Sequence, residues 1–190
     1  MKIDPTKVTN FNRTDSELEQ FMIFCVAVAG KKAEFGAQKT QDLCEYLGTE
    51  NPLFVMRMMD EFQVNEALRA VKLSPYKKNT PLFLALSKMD LRTCSLEDLL
   101  KIDGIGHKTA KMFLLHSRPN QEHIVLDVHI LRWLKQHGLR NIPTQSPSKT
   151  SSLYSKIEER ARRKVKSMFP NISFAEFDLN TWVFMSGKLA

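Results

Sequence analysis

Gly104 and Gly106 flank Ile105 in KIDGIGHKTAKMFLL, residues 101–115, directly before Lys108; the whole chain holds only seven glycines. Glycine permits a positive φ and lets a partner approach the backbone closely. The amides that follow open the apolar-periodic segment HKTAKMFLL, and at a helix N-terminus they point outward as anion donors. This order of residues suits a phosphate. An αα-corner in which Gly104 is only a helix C-cap accounts for the same fifteen residues. Nineteen positions after Lys108, VLDVHI places Asp127 at the start of another helix, where a carboxylate is a good N-cap. Taken singly, Lys108 reads as a surface lysine and Asp127 as a cap. Together they set an amine and a carboxylate at two helix starts beside a phosphate-binding turn.

The elements that must position them are helical. From Asp15 the apolar residues Leu18, Phe21, Met22, Cys25, Val26 and Ala29 follow the i, i+3, i+4, i+7 template, with Asp15 or Ser16 as cap. The spacing predicts a strongly buried helix that ends at AGKKAEFG, followed by a second over Thr40 to Leu47. PLFVMRMMDEF, VNEALRAVKL, NTPLFLALSKM and SLEDLLKI are further amphipathic segments, the last with Ser95 and Asp98 at capping-box spacing. HIVLDVHI is β-branched but too isolated to build a sheet. A polar, proline-containing loop, IPTQSPSKTSS, leads to the basic helix SLYSKIEERARRKVKSMF, with Leu153, Ile157, Val165 and Met168 as its buried stripe. FAEFDLNTWVFMSGK closes the chain. The expected fold class is all-α.

At 190 residues and 21.9 kDa the chain can bury a core without disulfides or metals, so no cofactor is expected for stability. Cys25, Cys44 and Cys94 form no CxxC pair and read as reduced, cytosolic usage. No apolar stretch reaches the roughly 18 residues of a membrane span, and the first twenty residues lack the order of a signal peptide. We therefore expect no membrane partner and a cytoplasmic location, nucleoid-associated in a prokaryotic or viral source. Residues 101–170 hold 14 Lys and Arg against 5 Asp and Glu, whereas the rest of the chain is slightly acidic. Such local basicity fits a polyanion, and equally a set of solvated helices.

I-D-G-I-G-H-K-T-A followed by L-D-V-H-I resembles the helix-hairpin-helix DNA glycosylases, the HhH-GPD superfamily that includes endonuclease III and the 8-oxoguanine glycosylases. The family's pattern is L-P-G-V-G-x-K-T-A, then V-D-T-H-I or V-D-V-H at nearly the same distance. FMIFCVAVAGKKAEFGAQKTQDL looks like the family's first barrel helix, DNA-contacting loop and next helix, and TWVFMSGK like its final W-x-x-x-x-G helix. The likeness covers most of residues 11–188.

The resemblance implies two helical lobes in one glycosylase unit over 1–190. Lobe 1 would span about 11–120 with the hairpin at 95–116, and lobe 2 about 1–10 plus 121–190, with Lys108 and Asp127 facing the groove between them. It implies that Lys108 is the catalytic lysine and Asp127 the essential aspartate. The target nucleotide would be flipped out of the duplex. The amine would attack C1′, and the resulting Schiff base would permit β-elimination of the 3′ phosphate. Gly104, Ile105 and Gly106 would give backbone contacts to phosphate and Thr109 a hydroxyl. His107 would touch phosphate or be solvated, and Lys31 and Lys32 would contact DNA from their loop. Lys156, Arg160, Arg162, Arg163, Lys164 and Lys166 would supply charge near DNA. His129 is read as a structural partner of nearby backbone. Trp133, Phe169, Phe174 and Trp182 are the aromatics available for a base pocket, and each also reads as core.

The departures from the family are informative. No cysteine follows Cys94, so the iron-sulfur cluster of endonuclease III is not expected, and no protein-ligated metal is expected elsewhere. The hairpin carbonyls are a place where the family can hold a monovalent cation. Asp103 replaces the hairpin proline, and Gly30 and Lys31 stand where endonuclease III has a gap-filling glutamine. LDVHI, the missing cluster and the lost glutamine lean towards an oxidised purine such as 8-oxoguanine. The expected activity is a bifunctional DNA glycosylase with abasic-site lyase activity in base excision repair. Its partner would be double-stranded DNA carrying a damaged or modified base, and the protein would act as a monomer. The alternatives are a glycosylase for an oxidised pyrimidine or another modified base, and a non-catalytic helix-hairpin-helix DNA-binding module.

Overall fold

The computed structural model describes residues 3–148 and 152–187. Residues 149–151 of the polar loop and Lys188 of the closing motif lie outside the described residues. The described elements are helices, with no strand among them, as the all-α reading requires. None of these helices is long and apolar enough to cross a membrane. The chain divides into two units, one of Met1–Pro5 and Asn12–Ile105, the other of Thr6–Phe11 and Gly106–Ala190. The division falls inside the hairpin, ahead of the boundary near 120 expected from the sequence.

In the first unit, α1 (Asp15–Ala27) is the central helix. Phe21, Met22, Ile23, Phe24 and Cys25 are each at most 1% exposed, so burial runs all round the helix rather than along one stripe. Its cap is Thr14, not Asp15 or Ser16: Thr14 and Glu17 form a reciprocal capping box that starts the helix one residue earlier. α2 (Ala33–Leu47) also begins before the expected Thr40, because Gly36, which reads as a loop residue, is buried inside the helix. PLFVMRMMDEF is not one segment. It breaks into α3 (Pro52–Met56) and the start of α4 (Glu61–Ala70), where Asp60 and Gln63 form a new capping box. α5 (Tyr76–Leu86) follows, and α6 (Leu96–Lys101) is capped by Ser95 and Asp98 as the spacing predicts.

The second unit holds α7 (His107–Ser117), α8 (Val128–Gln136), α9 (Leu153–Met168) and α10 (Phe174–Met185). Helix α7 belongs here because Leu115 and Met112 pack into the core built by α8, α9 and α10. Lys108 and Asp127 therefore lie in one unit rather than in two lobes. Between α7 and α8 the β-branched run is extended but unpaired as a strand, with Ile124, Val125 and Leu126 at most 2% exposed. The buried stripe of α9 is Tyr154, Ile157, Glu158, Ala161 and Val165. Leu153 and Met168, expected in that stripe, are exposed, and they are the first and last residues of the helix.

Candidate functional site

The two hairpin glycines have different physical reasons. Gly104 sits at φ +98°, and a Cβ there would lie 2.7 Å from Leu82 Cδ1 and 3.0 Å from Lys78 Cε of α5, so both conformation and space demand glycine. Gly106 has φ −106° and would place a Cβ in open space. Nothing inside the protein asks for glycine at that position. Gly106 is the N-cap of α7, and no side chain caps its amides, as is also true of α2, α3, α5 and α9. The first N–H groups of α7 thus have no intrahelical acceptor and no side-chain cap.

The remaining hairpin residues are partly corrected by the structure. Ile105 is 1% exposed and its N–H donates to Ile102 O at 3.2 Å, so the amide is already committed within the turn. Thr109, in the first turn of α7, is 7% exposed. His107 is half-buried with its ring against Tyr154, centroids 4.7 Å apart, and is not a solvated histidine.

Lys108, in the first turn of α7, is half-buried and forms no hydrogen bond or ion pair among the described residues. One turn on, Lys111 is the opposite case, 4% exposed and locked onto Glu158 of α9. Asp127 is half-buried at the N-cap of α8. Its Oδ1 accepts from His129 N at 2.9 Å and Ile130 N at 2.8 Å, while Oδ2 makes no hydrogen bond among the described residues. Burial pushes the Asp127 carboxyl above the ordinary aspartate range, helped by the negative charge of Asp178; the Ile130 N–H, Lys108 and His129 oppose the shift without cancelling it. The sequence-predicted lysine and aspartate are therefore close enough to influence one another electrostatically.

Sequence reasoning missed the buried polar groups in the same unit as this pair. Glu158 Oε1 accepts from Ile124 N at 3.0 Å, while Oε2 takes the Lys111 ammonium. Tyr154, fully buried, donates from its hydroxyl to Ile124 O at 3.1 Å and accepts from Leu126 N at 3.1 Å. The 3-4 spacing of Tyr154, Ile157, Glu158 and Ala161 is the signal that marks Glu158 as buried. His116, 1% exposed, bridges Thr9 Oγ1 at 2.8 Å and Asp178 Oδ2 at 3.0 Å. An ionised carboxylate only accepts, so Nε2 carries the proton towards Asp178 and Nδ1 faces the Thr9 hydroxyl.

Other expectations fare unevenly. His129 Nδ1 is buried and has no hydrogen-bond partner among the described residues, so that nitrogen does not hold nearby backbone. Trp133 is 7% exposed, stacked on His137 at 4.0 Å and edge-on to Phe177 at 4.9 Å. Phe174 is likewise buried, Phe169 packs against the same core, and Trp182 is half-buried on α10. Trp133 is covered by His137 on its face and Phe177 at its edge, whereas Phe174 lines a cavity with Phe11, Arg118 and Ile172. Lys31 and Lys32 are exposed at the start of α2 in the first unit. Among the cations of α9, Arg160 bonds Arg140 O, Arg162 bonds Glu122 O, Arg163 pairs with Glu159 and Lys166 with Glu122. Much of that cluster is already satisfied within the protein.

A family model described as Ogg-HhH, 8-oxoguanine DNA glycosylase, matches residues 2–169. An 8-oxoguanine DNA glycosylase/AP lyase of Thermotoga maritima is 38% identical over 86 residues, which is 45% of this chain and 39% of the relative. The matched stretch thus spans about two fifths of the curated relatives' length. The crystal structure of the 8-oxoguanine DNA glycosylase of Thermotoga maritima superposes with a TM-score of 0.68 at 28% identity, covering 97% of this chain and 87% of that one. The 8-oxoguanine glycosylase/lyase of Methanocaldococcus jannaschii, solved with a 15mer DNA containing 8-oxoguanine, gives a TM-score of 0.67 at 20% identity, covering 98% and 89%. At that identity the likeness concerns the fold alone.

Proposed function

Because this chain belongs to the helix-hairpin-helix 8-oxoguanine DNA glycosylase family, we propose that it excises 8-oxoguanine from duplex DNA and nicks the strand by β-elimination, in base excision repair. The observation that carries the proposal is the contrast along α7. Lys111 is buried in an ion pair, whereas Lys108 is half-buried, has no ion-pair partner among the described residues and lies near Asp127. An amine that no salt bridge holds is available for nucleophilic attack.

In this reading the neutral Lys108 amine attacks C1′ of the flipped nucleotide as the bond from C1′ to the base breaks. Positive charge develops on the sugar, and Asp127 faces it with the oxygen that makes no backbone hydrogen bond. The raised affinity of the Asp127 carboxyl for a proton makes it a better acceptor from the lysine ammonium. The amine adduct then opens its sugar ring at the C1′–O4′ bond to give the Schiff base, a C2′ proton passes to solvent, and the 3′ phosphate departs with the C3′–O electron pair, which breaks the strand. Phosphate contacts fall to the uncapped amides of α7 and to the open backbone at Gly106, because Ile105 N is committed within the turn. A monovalent cation on the hairpin carbonyls would add charge there. The protein acts on DNA as a monomer in the cytoplasm.

The reading is tested by single-turnover base release from duplexes carrying 8-oxoguanine, thymine glycol, uracil or a normal guanine. Preferred release of 8-oxoguanine is expected. Preferred release of thymine glycol would replace the substrate, and tight binding without release of any base would replace the enzyme with a DNA-binding module.

A further inference from the structure

Asp127 is only as well placed as the extended segment that leads into it, and that segment has no strand neighbours to hold it. Its backbone is instead gripped by two side chains one turn apart on α9. The Tyr154 hydroxyl bridges Ile124 O and Leu126 N, and Glu158 Oε1 takes Ile124 N. These groups belong to the residues one and three positions before the Asp127 N-cap. The same two side chains reach α7. Glu158 Oε2 holds Lys111, whose ammonium also lies 4.8 Å above the Tyr154 ring, and His107, the residue before Lys108, packs on that ring as well. One carboxylate therefore fastens the helix carrying Lys108 to the segment carrying Asp127.

We propose that Glu158 and Tyr154 are positioning residues that set the distance and orientation between Lys108 and Asp127. A hydrophobic pair at these α9 positions would pack the core without fixing Ile124 and Leu126. The buried charge pair is weak evidence for stability by itself. Its two-sided geometry is what a site needs when an attacking amine and a carboxylate must be held within a fraction of an ångström. The inference deepens the glycosylase reading and rests on it only for its kinetic half.

The kinetic half is read in Tyr154→Phe, which keeps the ring contacts and removes both hydroxyl bonds, and in the double variant Lys111→Met with Glu158→Gln. The double variant avoids a buried unpaired charge, keeps an amide oxygen for Ile124 N, and cuts the link to α7. Each is expected to lower the single-turnover rate of base release, and of borohydride trapping on an abasic duplex, about tenfold while the duplex Kd stays within about twofold of the wild type. Tyr154→Trp or a similar packing change is not needed as a control, because circular dichroism and thermal melting report the fold of each variant directly. The geometric half needs no substrate. By carbon-13 NMR the Asp127 carboxyl is expected to titrate at a different pH in both variants, and the amides of Ile124, Leu126 and Ile130 to lose exchange protection. Unchanged rates at unchanged Kd, or an unmoved Asp127 titration, would overturn the positioning role. A wild type that releases no base would overturn the glycosylase reading instead, and the NMR arm would still decide whether Glu158 and Tyr154 hold Asp127.

Discussion

Replacing each hairpin glycine by alanine separates a glycine needed by the fold from one needed by a ligand. Gly104→Ala places an L side chain at φ +98°, a conformation that costs about 1–3 kcal/mol. Its Cβ would also meet Leu82 Cδ1 at 2.7 Å, and because Leu82 is buried, relief requires the leucine to move within a packed core. A total near 2–3 kcal/mol corresponds, for a chain of this size, to a fall in Tm of roughly 4–12 °C. Gly106→Ala keeps an ordinary φ of −106° and an open neighbourhood. Its small loss at an N-cap, of about 0.5 kcal/mol, is offset by the stiffer unfolded chain. Thermal melting should show the first variant destabilised and the second within about 2 °C of wild type, while duplex binding should weaken for Gly106→Ala. A Gly106→Ala protein that melts as low as Gly104→Ala, or one that binds duplex as tightly as the wild type, would refute the division of roles.

Three further outcomes are expected. Burial and Asp178 raise the folded-state pKa of Asp127, so its stabilising contribution is complete below the ordinary aspartate range and is lost as pH rises through the raised value. Asp127→Asn, which can still cap α8, should therefore gain in Tm relative to wild type as pH increases from about 4 towards neutrality, and a constant difference would contradict the shift. Affinity for undamaged duplex should fall steeply and linearly in log salt if phosphate contacts dominate; a flat dependence would remove the case for a basic binding face. Trp133→Ala should cost about 3–5 kcal/mol of stability, read by denaturant unfolding, because the ring lies inside the aromatic core with His137 and Phe177.

The fold class and the spacing of Gly104, Gly106, Lys108 and Asp127 were legible because they are local. A capping box, an apolar period and a glycine turn each lie within a few residues, and Ser95 with Asp98 forms the cap its spacing announces. What could not be read is long-range. Lys111 looks like any lysine of a basic region until Glu158, 47 residues away, is brought against it. His116 gains its role only when Thr9 and Asp178 arrive from opposite ends of the chain. The α9 cations show the reverse error: charge counted along the sequence overstates what is available to DNA, since Arg162 and Lys166 both turn to Glu122. Aromatic residues offered no distinction in sequence between a stacking platform and a core, and packing places Trp133 in the core.

Borohydride trapping on a duplex containing 8-oxoguanine, with Lys108→Gln and Lys111→Gln run beside the wild type, tests the nucleophile most directly. The expected result is a covalent complex in the wild type that is absent in Lys108→Gln, with the reduced adduct located by mass spectrometry on the peptide containing Lys108. An adduct that persists at an unchanged rate in Lys108→Gln, or that maps to Lys111, would contradict the assignment of Lys108.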